Sequence, residues 1–145
     1  MPSLLGSTPE ERALVEMIQG VVGDIKKAVY MPCYTGAKSK EELIELCFEK
    51  ASVLSQYLNE KTYIVGSELC YVDFQIFEVV SFMSFVTEWK LYEMYPSLED
   101  YMFRLGNLPN VKEFLASDPS LQQPFNMRFA KIVNWPDVAQ LSFNA

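Results

Sequence analysis

The sequence contains no histidine. That removes the side chain that most often serves as general base near neutral pH and as metal ligand. A Ser–His or Cys–His nucleophile pair cannot be assembled from this chain alone. Cysteine is scarce: Cys33, Cys47 and Cys70 are odd in number and widely spaced. Without a CxxC spacing, neither a zinc site nor a dithiol redox motif is expected. The expectation is instead three free, mostly buried thiols in a reducing compartment, with no metal. Positive charge is also sparse. Lys and Arg number 12 against 19 Asp and Glu, the formal net charge is −7, and no basic run occurs. Phosphate binding needs clustered cations, so nucleic acid is not expected as a partner, and an anionic membrane surface is disfavoured for the same reason. Uninterrupted apolar runs are missing too. The longest apolar region, residues 69–86, is broken by Asp73, Gln75 and Glu78, which argues against a membrane span. The opening MPSLLGSTPEER lacks the basic-then-apolar pattern of a secretory leader, and a cytoplasmic protein is expected.

What is present points to a compact helical domain. Half of the 145 residues are hydrophobic and 14% are aromatic, which rules against disorder. A chain of this length buries about 68–70% of its unfolded surface and needs no staple to fold. One domain over residues 1–145 is expected, with a core from about 8 to 135 and an irregular tail over 120–145. There is no internal repeat, and no alternating strand pattern longer than TYIV at 62–65.

The first helix opens at Thr8-Pro9-Glu10-Glu11, where Thr8 and Glu11 form a reciprocal cap and Pro9 occupies a position that needs no N–H. Apolar residues then recur at helical spacing from Leu14 to Val29, and Pro32 and Gly36 mark the end. Gly20 and Gly23 each cost about 1 kcal/mol against Ala. Two of them one turn apart predict close approach by another helix. A second helix opens at Ser39 with Glu42, and its stripe runs from Leu43 to Leu58. Two such helices joined by a short loop pack antiparallel. A fourth helix is expected over 97–105, opened by Ser97 with Asp100, and a fifth from Pro109 to about Ser117. A short helical piece is expected around 125–133.

Between them lies SELCYVDFQIFEVV, residues 67–80. The segment Tyr71–Val86 is apolar on nearly all sides, as a helix at the centre of a bundle is. Its first N–H groups would be buried, and an unpaired buried donor costs about 1–3 kcal/mol. Asp73 is placed to accept from the Cys70 amide, and its charge suits the positive end of the helix dipole. A structural cap is the simplest role for it, and a catalytic acid has no visible partner base. The aromatics Phe74, Phe77, Phe82, Phe85 and Trp89 read as core rather than as a ligand site.

Several passages together resemble the C-terminal helical domain of cytosolic glutathione transferases, most like the mu class. GSELCYVDF (66–74) is similar to that family's Gly-initiated capping block before its central helix, with Gly66, Cys70 and Asp73 as the structural cap. YPSLEDYMFRLGNLPNVKEFLASD (95–118) resembles the following helix pair. LLGSTPEER (4–12) looks like the domain's opening, MPCY (31–34) like the Cys-Tyr ending its first helix, and MRFAKIVNW (127–135) is loosely like the mu tail. Cys70 stands where the family has Ser or Thr, which weakens half of the reciprocal cap.

The resemblance implies an all-α bundle of the glutathione transferase C-terminal type. By resemblance, Tyr34, Lys26, Asn126 and Met127 match positions lining the electrophile pocket, and Asp24 matches an acidic residue reaching glutathione across a dimer. Each also reads as an ordinary helix residue: a packed Tyr with a wet hydroxyl, a solvated Lys, an exposed Asp. The family's thioredoxin-like domain holds glutathione and stabilises its thiolate, and this chain begins where the helical domain begins. No catalytic residue and no cofactor is therefore expected, with glutathione only as a possible substrate. The expectation is a non-catalytic interaction or structural module bound to a protein partner or to itself. The alternative is the substrate-binding half of a mu-like transferase that needs a thioredoxin-like domain. A carrier of small apolar ligands is a third reading.

Overall fold

In the computed structural model, residues 4–117 and 130–133 are described. Six helices follow in order: α1 (Pro9–Thr35), α2 (Lys40–Leu58), α3 (Tyr71–Val86), α4 (Lys90–Met94), α5 (Pro96–Gly106) and α6 (Pro109–Ser117). No strand occurs among the described residues, and TYIV forms a tight turn in which Tyr63 and Gly66 exchange amide–carbonyl bonds at 2.9 Å. The fold is all-α.

α1 begins on the expected cap. The Glu11 amide donates to Thr8 Oγ1 at 3.1 Å, and the Thr8 amide donates to the Glu11 carboxylate at 3.2 Å. α2 repeats this with Ser39 and Glu42, at 3.2 and 2.7 Å. Pro32 does not end α1, which runs through it to Thr35. The stop comes from Gly36, whose φ of 70° suits a residue without Cβ and whose N–H donates to the Pro32 carbonyl at 3.0 Å. Lys131 then lies over this end, donating its amide to the Cys33 carbonyl at 2.6 Å and its Nζ to the Thr35 carbonyl at 2.9 Å.

α3 is the centre of the bundle. It packs on α1, α2, α4 and α5, and only Glu78 along its length is exposed. The core around it is built from Val22, Ile25 and Val29 of α1, Leu43, Cys47 and Ala51 of α2, and Leu98, Tyr101 and Leu105 of α5. Phe82 and Phe85 lie in this core, whereas Trp89 is half exposed beyond the end of α3. α4 was not anticipated. It follows two successive left-handed residues, Glu88 (φ 53°) and Trp89 (φ 67°), that turn the chain out of α3. α5 starts at Pro96 rather than on a Ser97 cap. The Ser97 hydroxyl instead pairs with that of Ser55 on α2 at 2.8 Å.

The close helix approach expected at Gly20 and Gly23 is not found among the described residues. A Cβ at either position would meet nothing within 4 Å. Both glycines lie on the outward side of α1, because the buried stripe through Val15, Ile18, Val22, Ile25 and Val29 occupies the opposite side.

Candidate functional site

The buried start of α3 holds a carboxylate that accepts three hydrogen bonds. Asp73 is fully buried. Its Oδ2 accepts from the Cys70 amide at 2.8 Å, and its Oδ1 accepts from the Ile64 amide at 2.8 Å and the Tyr101 hydroxyl at 2.5 Å. One carboxylate thus joins the loop before α3, the first turn of α3 and the middle of α5. Burial is the first cause that pushes the Tyr101 phenol above its ordinary range, and the Asp73 charge is the second. Tyr101 is therefore a hydrogen-bond donor at neutral pH. The Cys70 thiol faces the same site and is pushed up to about 11, chiefly by burial. The Asp73 amide turns back to the Cys70 carbonyl at 3.1 Å. The carboxylate's partners are all structural donors, and the arrangement holds three segments together. Gly66, in the adjoining turn, has φ 133°, a conformation that a side chain would strain.

The positions suggested for an electrophile pocket lie further along α1. Lys26, Tyr30 and Tyr34 follow one another at i, i+4 and i+8, which places them on one side of the helix. Lys26 Nζ reaches Glu78 of α3 at 2.6 Å. The Tyr30 ring stacks on Phe82 of α3, with centroids 4.2 Å apart. Its hydroxyl is buried without a hydrogen-bond partner among the described residues, and burial, followed by the Glu78 charge, pushes the phenol above its ordinary range. Tyr34 is half-buried near the return of residues 130–133. Asp24 points elsewhere: it is exposed on the outward side of α1 beside Gly20 and Lys27. Asn126 and Met127 lie outside the described residues. Tyr30 and Glu78 were missed in the sequence as members of this row. The one available signal was the four-residue step from Lys26 to Tyr30.

A nucleophile is hard to find here. All three cysteines are free and buried. The Cys47 thiol is pushed up to about 12, first by burial and then by Cys33, so it stays protonated at neutral pH. No group of three Cys, Asp or Glu side chains among the described residues is placed to hold a metal. No helix among them is long and apolar enough to cross a membrane.

The sequence model of the glutathione S-transferase C-terminal domain matches residues 23–118, and the chain belongs to that family. Among curated relatives, it is 30% identical over 135 residues to glutathione S-transferase Mu 2 of Mus musculus, covering 92% of this chain and 60% of that protein. It is 28% identical over 125 residues to the class-mu 26 kDa isozyme 7 of Fasciola hepatica, covering 85% of this chain and 57% of that one. The chain thus spans somewhat over half the length of these relatives. Among solved structures, the Pi-class glutathione S-transferase of Onchocerca volvulus superposes with a TM-score of 0.75 at 18% identity, over 88% of this chain and 64% of that one. The glutathione S-transferase Blo t 8 superposes with a TM-score of 0.67 at 25% identity, over 89% of this chain and 63% of that one.

Proposed function

We propose that this chain acts as a non-catalytic interaction or structural module of the glutathione S-transferase type, working in a reducing cytoplasmic setting with a protein partner. The observation that carries this reading is the outward side of α1. Met17, Val21 and Met31 are exposed there at 59%, 48% and 48%, in a helix whose inner side is already fully used. Apolar side chains grouped on one surface mark an interface. The chemistry supports the same reading. Conjugation requires a glutathione thiolate held beside an electrophile, and positioning with thiolate stabilisation supplies most of the rate. The Asp73 carboxylate and the Lys26 ammonium are already engaged by partners within the fold, and the Tyr30, Tyr101, Cys47 and Cys70 side chains hold their protons tightly. The purified chain, assayed with glutathione and a generic aromatic electrophile, is expected to show no turnover above the uncatalysed rate. Turnover well above it would overturn the module reading.

A second reading is favoured by the row Lys26, Tyr30 and Tyr34 and by the mu-class names of the relatives. In it, the chain is the electrophile-binding half of a transferase completed by a thioredoxin-like domain. Conjugation that appears on adding such a domain from a mu-class relative, and that falls in Tyr34→Phe, would support this reading over the first.

A further inference from the structure

We propose that the turn after α3 is a docking surface for an arginine-bearing segment of a protein partner, whose guanidinium lies on the paired rings of Trp89 and Tyr92 among the carboxylates of Glu88, Glu93 and Glu99. This rests on the module reading and names a class of partner for it. The two rings stand side by side, with centroids 6.4 Å apart and planes inclined by 30°. Trp89 is half exposed, Met94 more so, and Tyr92 is half-buried. Tryptophan, tyrosine and methionine are enriched at the centres of protein interfaces. The backbone fixes where the indole stands. Trp89 donates its amide to the Ser84 carbonyl at 2.8 Å from a left-handed conformation that its residue type disfavours. A glycine would close α3 at this turn without that strain. The position instead carries the largest of side chains, and the core leaves half of it in solvent.

The charges around the rings select the occupant. Glu88, Glu93 and Glu99 are all exposed. Glu88 precedes Trp89 in the chain and Glu93 follows Tyr92. Burial pushes the Tyr92 phenol above its ordinary range, and the nearby Glu99 charge adds to the effect. Lys90 is the one cation between residues 87 and 100, and its Nζ lies 3.9 Å from the Glu88 carboxylate. The patch therefore keeps a net negative charge. Elsewhere on the surface, Tyr57 finds its cation within the chain, with Lys61 Nζ 3.4 Å from the ring centroid; among the described residues no cation lies over Trp89 or Tyr92. A cation is drawn to an aromatic face by the ring quadrupole, and tryptophan attracts it best. Guanidinium suits this surface better than ammonium because it is planar, stacks on rings and is weakly hydrated. Its edge N–H groups are then free to donate to the surrounding carboxylates.

The test is the binding of a fluorescein-labelled peptide of alternating arginine and glycine to the 145-residue chain, read by fluorescence anisotropy beside the same peptide with lysine in place of arginine. Folding of each variant is checked by circular dichroism. The arginine peptide is expected to bind, and the lysine peptide to bind severalfold more weakly. Trp89→Ala is expected to raise the Kd about tenfold, and Trp89→Phe to raise it less because a ring remains. Glu93→Gln with Glu99→Gln is expected to weaken binding severalfold. Glu10→Gln with Glu16→Gln removes the same charge near the start of α1, which the Tyr71–Gln19 hydrogen bond places beside the opposite end of α3, and is expected to leave binding unchanged. Absence of binding by the arginine peptide overturns the proposal, as does binding indifferent to both Trp89 variants. Equal weakening by the two glutamate pairs also overturns it, since that reports attraction to the acidic chain as a whole. Each of these results leaves the module reading to the conjugation assay, which reads a different property.

Discussion

At the residue scale, Asp73 carries the greatest consequence. Three donors from three segments converge on its carboxylate, and all are buried. Asp73→Ala would leave them unpaired and is expected to cost on the order of 3–5 kcal/mol, measured as the loss of unfolding free energy in urea. Tyr101→Phe removes one donor and keeps the ring, so a smaller loss of about 1–2 kcal/mol is expected. Cys70→Ser should act in the opposite direction. It places an oxygen where a weakly accepting thiol caps α3, and a gain of about 0.5–2 kcal/mol in the same experiment is expected. The Cys70 contact was readable from the three-residue spacing. The contacts from Ile64 and Tyr101 were not, because no local pattern reports which distant side chain will fill the remaining lone pairs of a buried carboxylate. Tyr30→Phe is expected to be neutral or stabilising, since the hydroxyl it removes is buried without a partner among the described residues.

At the element scale, the helices that open on their own side-chain caps were legible, and those that open on a backbone turn were not. α1 and α2 announce themselves with Thr8–Glu11 and Ser39–Glu42. α4 is invisible in sequence because Glu88 and Trp89 enter left-handed backbone that neither residue type favours. Tertiary packing at the end of α3 imposes that conformation. Holding a non-glycine residue there costs roughly 1–2 kcal/mol, so Glu88→Gly is expected to raise the thermal midpoint or leave it unchanged. A clear fall would show that the Glu88 side chain contributes more than its backbone strain costs. Pro32 misleads for a related reason. A proline near the end of a helix forfeits one hydrogen bond but leaves the final turn free to form, and the stop belongs to Gly36.

At the scale of the whole molecule, the ionisable groups of the core define a pH response. Tyr101, Tyr30, Cys47 and Cys70 all hold their protons more tightly when folded than their types do in an unfolded chain. Their stabilising contribution is complete below the unfolded values, about 8.5 for Cys and 10 for Tyr. It is lost as pH rises beyond them, because the unfolded chain then gives up protons that the fold retains. With no histidine to titrate, thermal midpoints are expected to stay nearly level from about pH 6 to 8 and to drop steeply above about pH 10. Tyr101→Phe should flatten part of that drop.

The end of α1 is held by the last of the described residues. The carbonyl of Cys33, one of the groups every helix leaves open at its C-terminus, accepts from the amides of Lys131 and Ile132. During synthesis the first helix therefore emerges from the ribosome almost a hundred residues before its closing partners do. Until translation reaches them, the Cys33 carbonyl has only water from which to accept.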